Sequence, residues 1–141
     1  MRVLITACLV PLLALAGCAK KQEADEAQAA ADDSAVVAGE ACPATLDWLP
    51  VLIQLPPDCI VVSLTEPGER SHRLQMTSSS APQKLVADYA GELYMEGYVV
   101  KQQSPVAFEF SGPDVELGRM EKLESEVEGR AVIQVDVTTR P

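Results

Sequence analysis

Few residues of this chain have both the type and the spacing that catalysis or metal binding requires. Nucleophilic catalysis needs a serine or cysteine beside a base that an acid orients, and His72 is the only histidine in the sequence. The serine run at 78–80 directly precedes a predicted helix, where hydroxyl groups serve as caps. Glu124, Glu126 and Glu128 alternate in a strongly acidic chain, which is typical of a solvated surface. We therefore expect a protein that is not an enzyme, with no metal site and no cofactor.

The first 17 residues have the composition of a secretory signal. Arg2 precedes an apolar run from Val3 to Leu15, and small residues follow that run. A membrane-spanning helix is the alternative interpretation. The run is shorter than the roughly 20 apolar residues that a spanning helix needs, and Pro11 interrupts it. A signal peptide at residues 1–17 accounts for both features.

The signal ends in Leu15-Ala16-Gly17-Cys18, which is similar to the lipobox of bacterial lipoproteins. The resemblance implies cleavage before Cys18, a diacylglycerol on its sulfur and an acyl chain, such as palmitate, on the new amino terminus. Two or more acyl chains anchor a protein stably to a membrane, whereas one chain does not. An Asp directly after the lipidated cysteine resembles an inner-membrane retention signal, but this chain has Ala19 at that position. In a cell with two membranes, the implied location is therefore the outer membrane, with the protein facing the periplasm.

Two cysteines remain if the lipoprotein resemblance holds. Cys8 would leave with the signal and Cys18 would carry the lipid, so the mature chain would keep Cys42 and Cys59. Exported chains enter an oxidising compartment, where such a pair has one intramolecular pairing. We expect a Cys42–Cys59 disulfide, with two buried free thiols as the alternative.

The charge of the chain restricts its partners. The sequence holds 11 Lys and Arg residues against 21 Asp and Glu residues, for a net charge of −10. Nucleic-acid binding needs a basic patch, so we expect no nucleic-acid partner. Anionic lipid head groups would also repel the chain, which leaves the lipidated Cys18 as the expected membrane contact. The negative charge mildly favours basic partners, and an envelope protein is the kind of partner that an anchored module would meet.

The mature chain divides into a tether and one domain. Residues 18–41 are rich in alanine and acidic residues and hold almost no large apolar residue, so they cannot bury enough surface to offset their ordering entropy. We interpret them as a disordered or transiently helical tether. The domain at 42–141 begins with an arm at 43–58, whose prolines exclude a long helix. Its apolar residues, including Trp48, favour packing on the domain, and an exposed patch for a partner is the alternative.

The elements that follow the arm alternate between strand and helix signals. Predicted strands cover 59–65, 70–77, 98–103, 106–111 and 130–138, and a predicted helix covers 81–96. In the second strand, Arg70, His72 and Arg73 are interpreted as a solvated face. Ser80 and Gln83 have capping-box spacing at the start of the helix, and Gly97 is typical of its end.

Residues 114–127 fit two structures. Leu117, Met120, Leu123 and Val127 are spaced like one face of a helix, and Asp114 could cap it. A strand with a turn at Glu128-Gly129 is the alternative, and we favour the helix. The fold class is in either case α+β, with an antiparallel sheet and one main helix packed on one face.

The passage SAPQKLVADYAGELYMEGYVV resembles small envelope lipoproteins of unassigned function. The resemblance covers roughly residues 56–138 and implies no activity. We expect a lipid-anchored binding or scaffold module. The alternative is a periplasmic carrier of a small ligand, whose cavity would lie between helix and sheet and be lined by Leu85, Tyr89, Leu93 and Phe108.

Overall fold

The computed structural model describes residues 38–141. The signal peptide, Cys18 and most of the predicted tether lie outside these residues. The described part contains six strands and one helix. Their bounds are β1 (Ile60–Gly68), β2 (Ser71–Thr77), α1 (Pro82–Met95), β3 (Val99–Ser104), β4 (Ala107–Ser111), β5 (Val115–Val127) and β6 (Arg130–Thr139). In this part of the chain, no helix is both long enough and apolar enough to cross a membrane.

All six strands belong to one antiparallel sheet with the order β1-β2-β6-β5-β4-β3. The hairpin β1–β2 forms one end, and α1 carries the chain to the opposite edge, where β3 begins. The chain then returns strand by strand until β6 pairs with β2. This arrangement confirms the predicted α+β class and the single main helix on an antiparallel sheet.

The apolar face of the sheet is built by alternation along each strand. Leu74, Val135, Met120 and Phe108 are consecutive cross-strand partners on β2, β6, β5 and β4, and each is 0% exposed. The α1 side chains that pack on this face repeat with helical spacing, and Leu93 is likewise fully buried. The core therefore lies between α1 and one face of the sheet.

The end of α1 follows from Gly97. This residue has φ +88°, a conformation that glycine adopts without strain. The Gly97 N–H donates to the Tyr94 carbonyl at 3.1 Å, and the Tyr98 N–H donates to the Leu93 carbonyl at 3.0 Å. These two bonds form a Schellman motif, which confirms the predicted helix stop.

The start of α1 differs from the predicted capping box. Ala81 is the N-cap residue, and no side chain makes a capping hydrogen bond. Pro82 follows in the first turn, where its missing N–H costs no intrahelical bond. In this region the Ser78 hydroxyl accepts a hydrogen bond from the Ser80 N–H at 3.1 Å. The run at 78–80 therefore shapes the approach to α1 without a capping box.

The second helix predicted at 114–127 is wrong, because this segment is strand β5. It pairs with β4 on one side and β6 on the other, and those ladders satisfy its backbone groups. The residues that appeared to share a helix face are divided between the sheet faces. Met120 is 0% exposed in the core, whereas Leu117 is 55% exposed. Asp114, the expected helix cap, instead accepts a hydrogen bond from the Tyr98 hydroxyl at 2.6 Å.

The turn between β5 and β6 places a glutamate where asparagine or glycine fits better. Glu128 has φ 52° and Gly129 has φ 74°, the positive values that a type I′ hairpin turn requires at both central residues. We expect Glu128→Asn to raise the free energy of unfolding by about 1 kcal/mol, because Asn-Gly relieves the strain of the left-handed conformation. Urea denaturation measures the change. Glu128→Gln is the control for the lost charge, and equal stabilities of the two variants would contradict the prediction.

Candidate functional site

The arm at 43–58 completes the layer that α1 begins. The helix packs against β3, β4 and β5, while Leu49 and Ile53 of the arm join the same core. Trp48 stacks on His72 of β2, with ring centroids 5.1 Å apart and planes 8° from parallel. Packing of the arm on the domain was predicted, and these contacts confirm it.

A disulfide closes the two ends of the arm, and a hydrogen bond from α1 holds its interior. A disulfide joins Cys42 to Cys59, which confirms the predicted pair, and the Cys42 N–H donates to the Cys59 carbonyl at 2.9 Å. The Tyr89 hydroxyl of α1 donates to the Gln54 carbonyl at 2.5 Å. Burial, and then the charges of Glu92 and Asp88, raise the pKa of Tyr89, so this hydroxyl keeps its proton and remains a donor. The arm is thus bonded to both the sheet edge and the helix.

The chain ahead of the arm also contacts the sheet. The Gly39 N–H donates to the Val61 carbonyl at 2.7 Å, and the Val61 N–H donates to the Glu40 carbonyl at 2.8 Å. Ala41 forms a bridge with Ile60. Residues 39–41 therefore cover the first part of the β1 edge, and backbone pairing begins slightly ahead of the predicted domain start at Cys42.

A groove runs between the arm and α1, and we call it the arm–helix groove. Leu52 and Gln54 form its arm side, and residues between Ala87 and Glu96 form its helix side. Its volume is about 740 Å³, and it is open to solvent. Polar and apolar groups share its lining in similar amounts, which suits a partner that combines both kinds of group.

The helix side of the groove carries a row of carboxylates. Asp88, Glu92 and Glu96 recur every four residues, so they follow one side of the helix. Asp88 pairs with Lys84 at 2.5 Å. Among the described residues, neither Glu92 nor Glu96 has a cationic side chain within salt-bridge distance. The groove therefore has a negative rim with two free carboxylates.

Apolar surface lies beside these carboxylates. Met95 is 80% exposed although its side chain borders the groove, and Leu52 is half-buried on the opposite side. A Cβ atom built on Gly91 would meet no atom within 4 Å. Gly91 therefore opens onto the groove, and close backbone packing does not explain this glycine.

The open face of the sheet carries a row of charged residues with two ion pairs. Cross-strand partners follow one another across all six strands, in the order Thr65, Arg73, Asp136, Arg119, Glu109 and Lys101. Arg73 bonds to Asp136 at 2.6 Å, and Arg119 bonds to Glu121 at 2.8 Å. The carboxyl of Asp136 in turn raises the pKa of Arg73. These two ion pairs neutralise four charges in the middle of the face.

The predicted solvated face at Arg70, His72 and Arg73 is corrected, because His72 lies on the core side of β2. Neighbouring residues of a strand point to opposite faces, so His72 and Arg73 are on different sides of the sheet. The Nδ1 atom of His72 is buried and has no hydrogen-bond partner among the described residues. Glu66 Oε1 lies 3.5 Å from this atom without hydrogen-bond geometry. The His72 ring thus lies between the Trp48 ring and the Glu66 carboxylate, beside its cross-strand partner Val137.

The four residues expected to line a ligand cavity are packed in the core. Leu85, Tyr89, Leu93 and Phe108 are between 0% and 8% exposed. They belong to one continuous hydrophobic cluster, and their side chains fill the space between helix and sheet. Within residues 38–141, no group of His, Cys, Asp and Glu side chains could hold a metal ion.

Asp58 joins the end of the arm to the segment ahead of α1. Its carboxylate accepts hydrogen bonds from the Ser79 N–H at 2.6 Å and the Ser78 hydroxyl at 2.9 Å. Hydrogen bonding to Ser79, and then to Ser78, lowers the pKa of Asp58 to about 2. The ionised form of Asp58 therefore stabilises the folded state.

Replacement of Asp58 should have a pH-dependent effect. Since the folded-state pKa lies below the unfolded value of about 4, the stabilisation is complete above pH 4 and is lost as the pH falls towards 2. We expect Asp58→Asn to lower Tm at pH 6, and the difference from the wild type to narrow between pH 4 and pH 2. Thermal melts across this range test the prediction, which a pH-independent difference would contradict.

Comparison with known proteins found no matching family model, no matching curated protein and no matching solved structure. The case for function therefore depends on the chain itself. Of the predicted site residues, Cys42 and Cys59 are joined, and Cys18 lies outside the described residues. The arm–helix groove was not predicted, although the four-residue spacing of Asp88, Glu92 and Glu96 was visible in the sequence.

Proposed function

We propose that this chain is a lipid-anchored protein of the cell envelope whose domain is a non-catalytic binding module. The observation that carries the binding role is the arm–helix groove, which two separate elements form and which keeps free carboxylates beside exposed Met95. A concave surface that combines apolar and polar side chains is a candidate binding site. Acylated Cys18 would hold the module at the outer membrane, facing the periplasm.

The lipobox and the disulfide support the envelope location. Leu15-Ala16-Gly17-Cys18 follows a basic residue and an apolar run, the order expected of an exported lipoprotein. The Cys42–Cys59 disulfide suits an oxidising compartment such as the periplasm. Residues 19–38, which precede the pairing of Gly39 with β1, would give the module reach above the membrane, roughly 22–27 Å as a flexible coil.

The anchor can be tested by intact mass and membrane fractionation. We expect the wild type to have lost residues 1–17, to carry the added mass of acyl chains and to fractionate with the membrane. Cys18→Ser should lack the added mass and should be soluble or unprocessed. Cys8→Ser is the matched control, because Cys8 is removed with the signal peptide. This variant should be lipidated like the wild type. A wild type without lipid at Cys18 would refute the anchor.

A further inference from the structure

We propose that the arm–helix groove binds a basic, amphipathic segment of a partner protein, in which Lys or Arg residues flank a large apolar side chain. This inference depends on the binding role proposed above and adds the class of partner. It does not depend on the lipid anchor, because the groove lies wholly within residues 38–141.

The charge pattern of α1 is the reverse of the one that stabilises a helix. Cations favour the carboxyl-terminal end of a helix and anions its amino-terminal end, because of the helix dipole. In α1 the last turn has no basic residue, and the first turn has no acidic residue but contains Lys84. Glu92 and Glu96 thus add negative charge at the negative end of the dipole. A cationic side chain bound in the groove would relieve this repulsion.

The dimensions of the groove suit a short peptide segment. Its helix side extends from Ala87 to Glu96, which is about 14 Å at 1.5 Å per residue. An extended peptide covers that length with about four residues. Asp88, Glu92 and Glu96 are spaced about 6 Å apart along the helix, close to the distance between alternate residues of such a peptide. Alternate basic side chains could therefore face successive carboxylates.

The apolar part of the groove is the reason that the bound segment needs a large apolar side chain as well as basic residues. Met95 is exposed on the helix side, and Leu52 lies on the arm side. The flexible thioether of Met adapts to varied apolar partners. Gly91 leaves open space between these walls, where a large apolar side chain of the partner can lie.

Charge complementarity selects this occupant over two others. An anionic lipid surface would face the same carboxylates and be repelled by a chain of net charge −10. A second copy of the chain carries the same negative charge, so approach of two copies is opposed. A basic protein segment instead meets opposite charge and a matching apolar surface.

The test measures peptide binding by the full chain in detergent. The probe is a labelled peptide of alternating Lys and Leu, read by fluorescence anisotropy, with a Glu-and-Leu peptide and a Lys-and-Ser peptide beside it. We expect saturable binding of the Lys-and-Leu peptide, weaker binding of the Lys-and-Ser peptide and no binding of the acidic peptide. Affinity should fall as salt rises, because exposed charges are screened.

Variants locate the binding. We expect Glu92→Gln/Glu96→Gln to weaken affinity about tenfold, as the loss of two exposed charge pairs implies. Glu124→Gln/Glu126→Gln removes the same charge far along β5 and should change affinity less than twofold, within the scatter of surface-charge effects. Gly91→Leu should block the groove, whereas Gly91→Ala should leave it open. Equal effects of the two Glu pairs, or unchanged binding by Gly91→Leu, would overturn the inference.

A photo-crosslinker at exposed Gln54 in intact cells separates this inference from the binding role itself. Crosslinks to a segment that carries Lys or Arg beside large apolar residues would support both proposals. Crosslinks to a segment without basic residues would overturn the partner class and leave the binding role in place. Absence of any crosslink at Gln54, together with no peptide binding, would contradict both the partner class and the binding role.

Discussion

The Gly118→Ala variant is expected to lose about 3 kcal/mol of unfolding free energy, because the added methyl group has no space. Gly118 of β5 is the cross-strand partner of Phe110 in β4. A Cβ atom at this position would lie between 2.2 and 2.5 Å from three atoms of the Phe110 ring. Phe110 is 2% exposed, so its ring has no solvent-filled space into which it could move.

Neighbouring rings hold Phe110 in place. Phe108 lies 5.8 Å away and Tyr98 lies 6.3 Å away, measured between ring centroids. A shift of the Phe110 ring would therefore disturb a buried aromatic cluster. For a domain of about this size, the expected loss corresponds to a decrease in Tm of roughly 15 °C, which differential scanning calorimetry can measure.

Gly91→Ala is the control for this prediction. Its Cβ would meet nothing within 4 Å, and alanine in a helix interior is favoured over glycine by up to about 1 kcal/mol. We expect this variant to melt above the wild type. Phe110→Leu combined with Gly118→Ala should recover part of the lost stability, because the smaller side chain leaves space for the methyl group. If Gly118→Ala melts within about 2 °C of the wild type, Phe110 does not occupy the space over Gly118.

The elements predicted correctly are those whose local pattern agrees with their packing. Ile133, Val135 and Val137 alternate in sequence and lie on the buried face of β6. Helix α1 combines a stripe of apolar residues with a glycine at its end. In both elements, a single periodicity decides which residues enter the core.

The segment that forms β5 shows where such patterns fail. Leu117 and Met120 have helix-like spacing, but residues three apart in a strand point to opposite faces, so Met120 is buried and Leu117 is exposed. Pairing with two neighbouring strands then determines the structure, and neither partner is visible in the local sequence. The turn at Glu128-Gly129 was the local signal that favoured a strand.

The candidate groove could not be predicted because its arm side has no periodicity. Prolines in residues 43–58 exclude a long helix but do not determine where the arm crosses the domain. That position results from the disulfide, the Trp48–His72 stack and the bond from Tyr89 to Gln54. The sequence shows the carboxylates of α1, and only the fold shows which surface lies beside them.

Removal of the disulfide should separate the stability of the arm from that of the sheet. Cys42 and Cys59 close a loop across a separation of 17 residues, and the chain-entropy model gives about 3 kcal/mol for a loop of this length. Cys42→Ala/Cys59→Ala should therefore lose about that amount of unfolding free energy. The arm should lose most of this stability, because the hydrogen-bond ladders of the sheet remain without the disulfide.

Trp48 reports on the arm alone, since it is the only tryptophan in the chain. Its ring rests on His72, so its fluorescence should change when the arm leaves the sheet, while far-UV circular dichroism follows the strands. In the wild type we expect both signals to change at the same urea concentration. In the double variant, fluorescence should change first, and peptide binding at the groove should be lost with it. If both signals still change together, the burial of Leu49 and Ile53 holds the arm without the bridge, and the groove should then keep its affinity.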